Sequence, residues 1–311
     1  MYKTTVEGEG GIYAKVVEHS SNPLYPDIPE LFTLELKYHR YIHAEFMTHR
    51  VFSRNASSSR AVPVKRVLDN INNEPATPVH WGKNKAGMEA DGEQDTPVFI
   101  MGKEYSPQEA WELAGKDKAI FADAFNKAGY HKQVVNRLTE SHQFIKVVVT
   151  ATEWDNFFGL RIAPDAQPEI QELANCMRSA MNFSTPERPV NGMMNKNNSD
   201  PYTHLPYLQD ADYERYYNGD VTLDQLCAVS SGRCARVSYL NHDKSQPDYL
   251  SDIKLHDDLA AVRHMSPFEH VAKLMLNNDP DVPPIGATHR DLEGNWWSGN
   301  FKGWTQYRQI M

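Results

Sequence analysis

FTLELKYHRYIHAEFMTHRVFSRNASSSR occupies residues 32–60, and its hydrophobic period changes along its length. Apolar and polar residues alternate at its start, which predicts a half-buried strand over residues 30–38. The spacing then lengthens to four residues, which predicts a helix over residues 39–52. The apolar positions at this spacing are Tyr38, Ile42 and Phe46. Residues 55–59 are expected to form a loop beyond the helix, and loops carried by a rigid element are common places for binding groups.

Basic and hydroxyl side chains crowd the second half of this stretch. His49, Arg50, Arg54 and Arg60 lie among four serines within residues 48–60. The guanidinium fork of arginine matches a phosphate or a pyrimidine edge, and small hydroxyls let the backbone approach a ligand closely. The cluster therefore suits an anionic nucleotide. A solvated basic turn is the alternative, since clustered charges usually face water.

The spacing within the cluster resembles a known signature. His49 and Arg50 are followed by seven residues, then by Ser58 and, two positions on, by Arg60. This pattern resembles the signature of the flavin-dependent thymidylate synthases, in which Arg-His-Arg precedes seven residues and a serine. Thr48 stands here in place of the first arginine.

Further segments resemble the same family. WDNFFGLRIAPDAQPEIQELA, residues 154–174, resembles its segment with an Asn five residues before an Arg, followed by Ala-Gln-x-Glu-Ile. CARVSYLNHD, residues 234–243, and HMSPFEH, residues 264–270, resemble its flavin-binding portion. In the family these two segments precede the arginine signature, whereas here they follow it. The chain therefore looks circularly permuted, which a fold with neighbouring termini tolerates. The alternative is that the C-terminal piece is a diverged second module.

The resemblance implies roles for particular residues. Arg161 matches the position that contacts the uracil and assists its ionisation, so the catalytic candidates are Arg161 and Ser58. The positions that bind the nucleotide are Ser58, Arg60, Arg137 and Arg161. The positions that hold the flavin are His49, Arg50, Asn156, Ser238, His264, Ser266 and Glu269.

Each of these roles has a structural alternative. Arg137 also suits an ordinary exposed helix position. Arg161 suits a favourable cation at a helix C-terminus, and Ser58 suits a turn cap. His264 suits a helix C-cap, and Glu269 suits a carboxylate paired with a nearby cation.

Some positions depart from the family pattern. Where the family usually has Gln, Arg, Glu and His, this chain has Glu45, Thr48, Ala56 and Asp165. Exchanging a guanidinium for a hydroxyl removes a charge-assisted hydrogen bond of roughly 1.5 to 3 kcal/mol. We therefore hypothesise that Arg54 compensates for Thr48, with Arg40 as a further candidate.

Composition restricts the class of protein. The chain has 311 residues, enough for one large domain or two. Its formal net charge of -9 argues against sequence-independent binding to a nucleic acid polymer. Its 3 cysteines have neither metal-ligand spacing nor an even number, so a reducing cytoplasm and no metal site are expected. A soluble protein is predicted, because neither a secretory profile nor an apolar run of about eighteen residues is found.

The rest of the chain is predicted to be mostly helical. Residues 63–105 are expected to form an irregular insertion, because prolines and glycines replace periodic apolar positions. A helix is predicted to begin with Ser106 as its N-cap, and the helical period continues through residues 131–151. A further helix is expected to open at Pro164, since proline is tolerated in the first turn.

The C-terminal part is expected to complete the fold. Residues 1–222 are predicted to form the nucleotide-binding part, and residues 223–311 the flavin-binding segment. Within this segment, residues 252–264 are predicted to form a helix and residues 271–276 a strand. The resemblance implies an α+β fold, a mixed sheet with helices in permuted order.

The resemblance also implies an activity. This activity is the flavin-dependent methylation of dUMP to dTMP, with FAD as cofactor and with NADPH and methylenetetrahydrofolate as co-substrates. A homotetramer with shared active sites is expected. One alternative is a related pyrimidine nucleotide hydroxymethylase or dCMP-acting enzyme. Another is a non-catalytic nucleotide- or flavin-binding homologue.

Overall fold

The computed structural model describes residues 4–21, 26–186, 202–237, 248–275 and 281–311. Helices and sheets together form an α+β fold, so the predicted class is confirmed. The strands are β1 (Thr5–Glu7), β2 (Tyr13–Ser20), β3 (Leu31–His39), β4 (Ser53–Ala56), β5 (Val98–Ile100), β6 (Lys103–Tyr105), β7 (Phe144–Ala151), β8 (Thr203–His204), β9 (Ala272–Leu274), β10 (His289–Arg290), β11 (Trp296–Ser298), β12 (Phe301–Lys302) and β13 (Trp304–Gln306). The α-helices are α1 (His43–Phe46), α2 (Val64–Asn73), α3 (Pro107–Lys127), α4 (Lys132–Val135), α5 (Asp155–Arg161), α6 (Pro168–Asn182), α7 (Asp210–Tyr217), α8 (Leu223–Ala235) and α9 (Tyr249–Ala261). Short 3-10 helices include Arg40–Ile42, Asn136–His142 and Ser266–Glu269.

The main sheet has five strands in the order β1-β2-β3-β7-β4. Every strand pair in the described part of the chain is antiparallel, so the sheet expected to be mixed is antiparallel there. The predicted strand over residues 30–38 is confirmed as β3, which lies at the centre of the sheet. Helix α6 packs on β1, β2 and β3. It buries Ile170, Leu173 and Met177 in the largest hydrophobic cluster.

Strand β7 corrects the prediction of a helix over residues 131–151. Helical turns occupy only the first part of this range, up to His142. Val147, Val148 and Val149 follow, and all three side chains are fully buried. A continuous apolar run does not distinguish a buried helix from a central strand, but β-branched side chains favour the strand.

The predicted helix over residues 39–52 is also shorter than expected, since α1 has only 4 residues. The hydroxyl of Thr48 donates to a carbonyl of α1 at 2.7 Å, and a guanidinium nitrogen of Arg54 donates to the carbonyl of Met47 at 2.9 Å. The carbonyl of Glu45 also accepts the N–H of Thr48 at 3.1 Å, and the Arg54 bond supplies a partner to the carbonyl just beyond the helix end. The chain then returns as β4, so the loop predicted over residues 55–59 is wrong for its first half.

The elements between residues 63 and 182 differ in how closely they follow the prediction. The irregular insertion over residues 63–105 is wrong at its two ends, where α2 and the hairpin β5–β6 lie. Helix α3 begins as predicted, because Ser106 and Glu109 form a capping box. Helix α6 begins at Pro168 rather than Pro164, again with proline in its first turn.

The C-terminal part packs against the main sheet through buried polar groups. The helix predicted over residues 252–264 is observed as α9, three residues earlier at each end. The strand predicted over residues 271–276 is observed as β9, and residue 276 lies outside the described residues. Thr150 of β7 shares its hydroxyl between Thr33 at 2.7 Å and Nδ1 of His270 at 2.8 Å. His204 in turn contacts Thr33 through Nε2 at 2.7 Å. The division at residue 222 stays a prediction.

In the described parts of the chain, no helix is both long enough and apolar enough to cross a membrane.

Candidate functional site

Arg161 ends α5 and points at the segment that follows α1. Its Nε donates to Nε2 of His49 at 2.8 Å, and one Nη forms a short ion pair with Glu45. The other Nη lies 3.4 Å from the hydroxyl of Thr48. The Arg161 side chain is only 17% exposed. Two motifs separated by more than a hundred residues in sequence therefore meet at one guanidinium.

The imidazole of His49 is a neutral acceptor in this arrangement. Burial lowers the pKa of His49 to about 4, and the positive charges of Arg161 and Arg54 contribute to this shift. The ring packs edge-on against Phe157, with centroids 4.8 Å apart. A ring that accepts at Nε2 carries its proton on Nδ1, so its orientation and its tautomer are both fixed.

A second group of predicted residues surrounds the turn after β4. Ser58 accepts from the backbone N–H of Arg60 at 3.3 Å, so the turn-cap alternative applies to Ser58 in this structure. Arg137 donates to Glu140 at 2.7 Å, and Ser59 donates to the same carboxylate oxygen at 3.3 Å. Glu140 thus connects the loop with the 3-10 helix that carries Arg137. Arg60 and Arg137 are exposed, which leaves their guanidinium groups accessible to a ligand.

Asn136 fixes the shape of this loop. Its Nδ2 donates to the carbonyls of Ser59 at 2.7 Å and Val62 at 3.0 Å. Asn136 is only 1% exposed, and its bond to the Ser59 carbonyl is buried. The chain is therefore held at Ser59, whose side chain is buried, and at Val62, while Arg60 between them is exposed.

The C-terminal segment meets β4 from the other side. The Ser266 hydroxyl lies 3.4 Å from Oδ1 of Asn55 and 3.3 Å from Nε2 of His264. Asn55 also donates to the carbonyl of Cys234 at 2.9 Å. Glu269 forms an ion pair with Arg308, as its structural alternative predicts. The 3-10 helix Ser266–Glu269 thus packs on β4, the strand that precedes residues 57–61, which we call the arginine-serine loop. His264 contacts Ser266 of this helix.

The remaining predicted residues occupy the surface or lie outside the described residues. Arg50 and Asn156 are exposed, the former after α1 and the latter in the first turn of α5. Ser238 lies outside the described residues. Arg54, our candidate to compensate for Thr48, donates to the carbonyl of Met47, the residue before Thr48. Its compensating role stays a hypothesis.

Sequence reasoning missed several partners of the predicted residues. Glu45, a departure from the family pattern, forms the ion pair with Arg161. Asn55 and Arg308 contact Ser266 and Glu269, far apart in sequence. The charge of Glu45 is a signal for its ion pair, because an acidic residue in place of the neutral glutamine of the family indicates a cation nearby.

The cysteines do not offer a nucleophile. Each of the three is free and buried. Burial raises the pKa of Cys176 to about 12 and that of Cys227 to about 12, and it raises the pKa of Cys234 as well. Because the thiolate is the reactive form, these thiols are inert near neutral pH. Within the described residues, no group of His, Cys, Asp and Glu side chains is arranged to hold a metal ion.

Comparison with known proteins agrees with this geometry. The family model described as thymidylate synthase complementing protein matches residues 30–187, which include the arginine signature and the α5–α6 segment. No curated protein matches the chain. A match over half of the chain establishes the family. The chain belongs to the thymidylate synthase complementing protein family, whose members are flavin-dependent and serve thymidylate synthesis.

Proposed function

We propose that the protein methylates dUMP to dTMP in the cytoplasm. In this proposal methylenetetrahydrofolate supplies the one-carbon unit, FAD is the redox cofactor and NADPH is the reductant. The observation that carries the proposal is the contact between Arg161 and His49 at 2.8 Å. It joins the two segments that resemble the family signature into one partly buried site.

Arg161 is the residue proposed to act on the pyrimidine. Methylation at C5 requires electron density on a weakly nucleophilic carbon, and a nucleophilic cysteine would supply it by attack at C6. The buried, protonated thiols support the other route, in which a cation stabilises the ring anion. Arg161, fixed by Glu45 and His49, is held for this task.

Ser58, Arg60 and Arg137 are proposed to bind the nucleotide. Arg60 is an exposed cation in the loop that Asn136 holds, and Arg137 is an exposed cation next to Asn136 in the 3-10 helix. Guanidinium groups suit a phosphate because they donate two parallel hydrogen bonds to it. The Ser58 hydroxyl, which accepts from the N–H of Arg60, can still donate its own proton to the nucleotide.

The flavin is proposed to lie along the surface between His49 and the C-terminal motif. The donor set fits a dinucleotide, because Arg50 and Asn156 are exposed donors near the buried ring of His49. Ser266, His264 and Glu269 extend this surface, and Ser238 is the further residue assigned by resemblance. FAD, when bound, supplies the redox chemistry. Because Arg308 already neutralises Glu269, the contribution of Glu269 is proposed to be orientation rather than charge.

Glu45 supports a second candidate function, action on dCMP. Its carboxylate lies against Arg161, which reduces the net positive charge available to stabilise a uracil anion. A carboxylate also accepts from the exocyclic amine of cytosine, whereas the uracil edge offers a carbonyl there. A flavin-dependent cytosine nucleotide enzyme, including a hydroxymethylase, is therefore the alternative to dUMP methylation.

A homotetramer with active sites shared between subunits is part of the proposal. It is an expectation from the family and is checked by the mass of the protein in solution. If catalytic residues come from several subunits, dilution to the monomer should abolish activity. Full activity from a monomer would contradict this part of the proposal.

The activity is tested on the purified full chain by its spectrum and its product. A yellow flavin spectrum should be bleached by NADPH and perturbed by dUMP. Mass spectrometry of the nucleotide, after incubation with methylenetetrahydrofolate, should show the added methyl group on dUMP. A hydroxymethyl product, or turnover of dCMP alone, would favour the second candidate. Ligand binding without reductant-dependent turnover would indicate a non-catalytic homologue.

A further inference from the structure

A basic pocket lies beside the arginine-serine loop, and Ser57 is part of its lining. It has a volume of about 340 Å³. Tyr13, Lys37 and Lys146 face it from directly opposite positions on β2, β3 and β7. Ser57 continues the row, because its N–H donates to the carbonyl of Lys146 at 2.8 Å. Helix α2 forms the opposite wall with Arg66.

The two lysines of this row repel each other. Lys37 and Lys146 are direct cross-strand partners, and like charges at such positions destabilise a sheet. Glu74 contacts Lys37 at 2.7 Å, while Glu35 lies 3.9 Å from Lys146 and already accepts from Tyr13. The compensation is therefore incomplete. A chain with a net charge of -9 concentrates four cations and one carboxylate in the lining of this pocket.

Arg40 adds a second, independent observation. Its guanidinium lines the pocket, and its Nε is buried without a hydrogen-bond partner in the described part of the chain. One Nη lies 3.4 Å from the carbonyl of Ser57, which is a long contact. Nearby Glu140 is already engaged by Arg137 and Ser59. A buried charged donor without a partner is costly, so the guanidinium of Arg40 favours an anion in the pocket that compensates its charge.

We propose that this pocket binds a small-molecule polyanion, a chain that carries two or more phosphate or carboxylate groups. Its site is distinct from the outer face of the loop, where we place the nucleotide. Lys37, Lys146, Arg40 and Arg66 hold the anionic groups, and the ring of Tyr13 covers the apolar part of the ligand. The phosphate chain of a nucleoside triphosphate and the oligoglutamate tail of a folate share this chemistry.

The first test measures binding of inorganic tripolyphosphate to the full chain by isothermal titration calorimetry, without flavin, folate or reductant. The wild-type protein should bind one equivalent. The double variant Lys37→Met, Lys146→Met should bind at least about tenfold more weakly, because each lysine contributes a charge-assisted contact. Lys254→Met removes an exposed, ion-paired lysine elsewhere and should leave the affinity within about twofold. Equal affinities for wild-type protein and the double variant would overturn the proposal.

A melting curve keeps this comparison independent of folding. Without the anion, the double variant should melt at the same temperature as the wild-type protein or higher, because the repulsion between the lysines is gone. Arg66→Met, on the exposed face of α2, should weaken tripolyphosphate binding without lowering the melting temperature. An unchanged affinity of Arg66→Met for tripolyphosphate would show that helix α2 does not contribute to the site.

The source of the anion is tested by competition. Thymidine triphosphate and tetra-γ-glutamate are each titrated against bound tripolyphosphate, and displacement by one of them identifies the source. Displacement by neither would contradict the proposal. Saturating dUMP should leave the tripolyphosphate affinity unchanged, whereas one-for-one displacement would show that pocket and nucleotide site are the same. Because no step requires turnover, a failure of the proposed methylation would leave this result unaffected.

Discussion

Arg161 and His49 are joined by one hydrogen bond, from Nε of the arginine to Nε2 of the histidine at 2.8 Å. The bond requires a neutral imidazole, and the lowered pKa of His49 supplies it near neutral pH. The guanidinium is planar, so fixing Nε also fixes the direction of both Nη groups. His49 therefore orients Arg161, and Glu45 determines how much of its charge remains for a ligand.

Arg161→Lys should test the importance of this orientation. Lysine keeps the positive charge but cannot donate to His49, Glu45 and a ligand with a fixed planar fork. We expect kcat/KM for dUMP to fall about 10- to 100-fold, which corresponds to the loss of one charge-assisted hydrogen bond. Arg178→Lys, on the exposed face of α6, is the matched control. An equal effect in both variants would mean that Arg161 has no special role.

Glu45→Gln should change the preference between pyrimidines. The carboxylate only accepts hydrogen bonds, while the amide can also donate to the C4 carbonyl of uracil. Removing the negative charge also frees Arg161 to stabilise a ring anion. We expect the ratio of kcat/KM for dUMP to that for dCMP to rise by about tenfold. Competition between the two nucleotides measures this ratio directly.

The control for this exchange is Glu214→Gln, a charge-matched change at an exposed position of α7. It should leave the ratio unchanged. A fall in the ratio for Glu45→Gln, or an equal rise in the control, would show that Glu45 does not read the base.

The low pKa of His49 predicts a loss of stability in acid. The unfolded chain takes up a proton near pH 6.5, whereas the folded protein does so only near pH 4. This stabilisation is therefore complete above about pH 6.5 and is lost as the pH falls toward 4. His49→Gln keeps an acceptor for Arg161 but cannot titrate. Between pH 7 and pH 5 its free energy of unfolding should fall by about 1 kcal/mol less than that of the wild-type protein, after allowance for solvent screening.

Urea denaturation at the two pH values checks this expectation. Burial lowers the pKa of His43 to about 4 and that of His270 to about 3, so these residues act in the same direction in both proteins. The difference between the two proteins therefore isolates His49. Parallel stability curves would show that His49 titrates normally in the folded state.

The sequence predicts those elements whose signal is local. Strand β3 follows from strict alternation, and α3 follows from the cap at Ser106 with proline in the first turn. The spacing of His49 and Arg50 from Ser58 and Arg60, which resembles the family signature, is likewise visible in the sequence. These features depend on neighbours in the chain, so one sequence suffices to find them.

Features that depend on distant partners are beyond such reasoning. The hydrophobic run of β7 suits a buried helix as well as a strand; its β-branched valines favour the strand, and pairing with β3 and β4 stabilises it. Helix α1 ends at Phe46, where the Thr48 hydroxyl donates to the Glu45 carbonyl, and a period of four residues does not reveal such a bond. The ion pair of Glu45 with Arg161 likewise joins residues from separate elements.

The buried pairing of Arg233 should be decisive for the stability of the C-terminal part. Arg233 donates to Asp252 at 2.9 Å and to Asp212 at 3.0 Å, and Asp252 is fully buried. Arg233→Met leaves two buried carboxylates with less compensation, although Arg236 still contacts Asp252. We expect a loss of about 3 to 5 kcal/mol in the free energy of unfolding, measured by urea denaturation. Arg215→Met, an exposed arginine over an aromatic ring, should cost less than about 1 kcal/mol. Helix α8 also brings the Cys234 carbonyl to Asn55, so loosening this helix should weaken flavin retention as well. If Arg233→Met were as stable as the control, the ion-pair network would be dispensable.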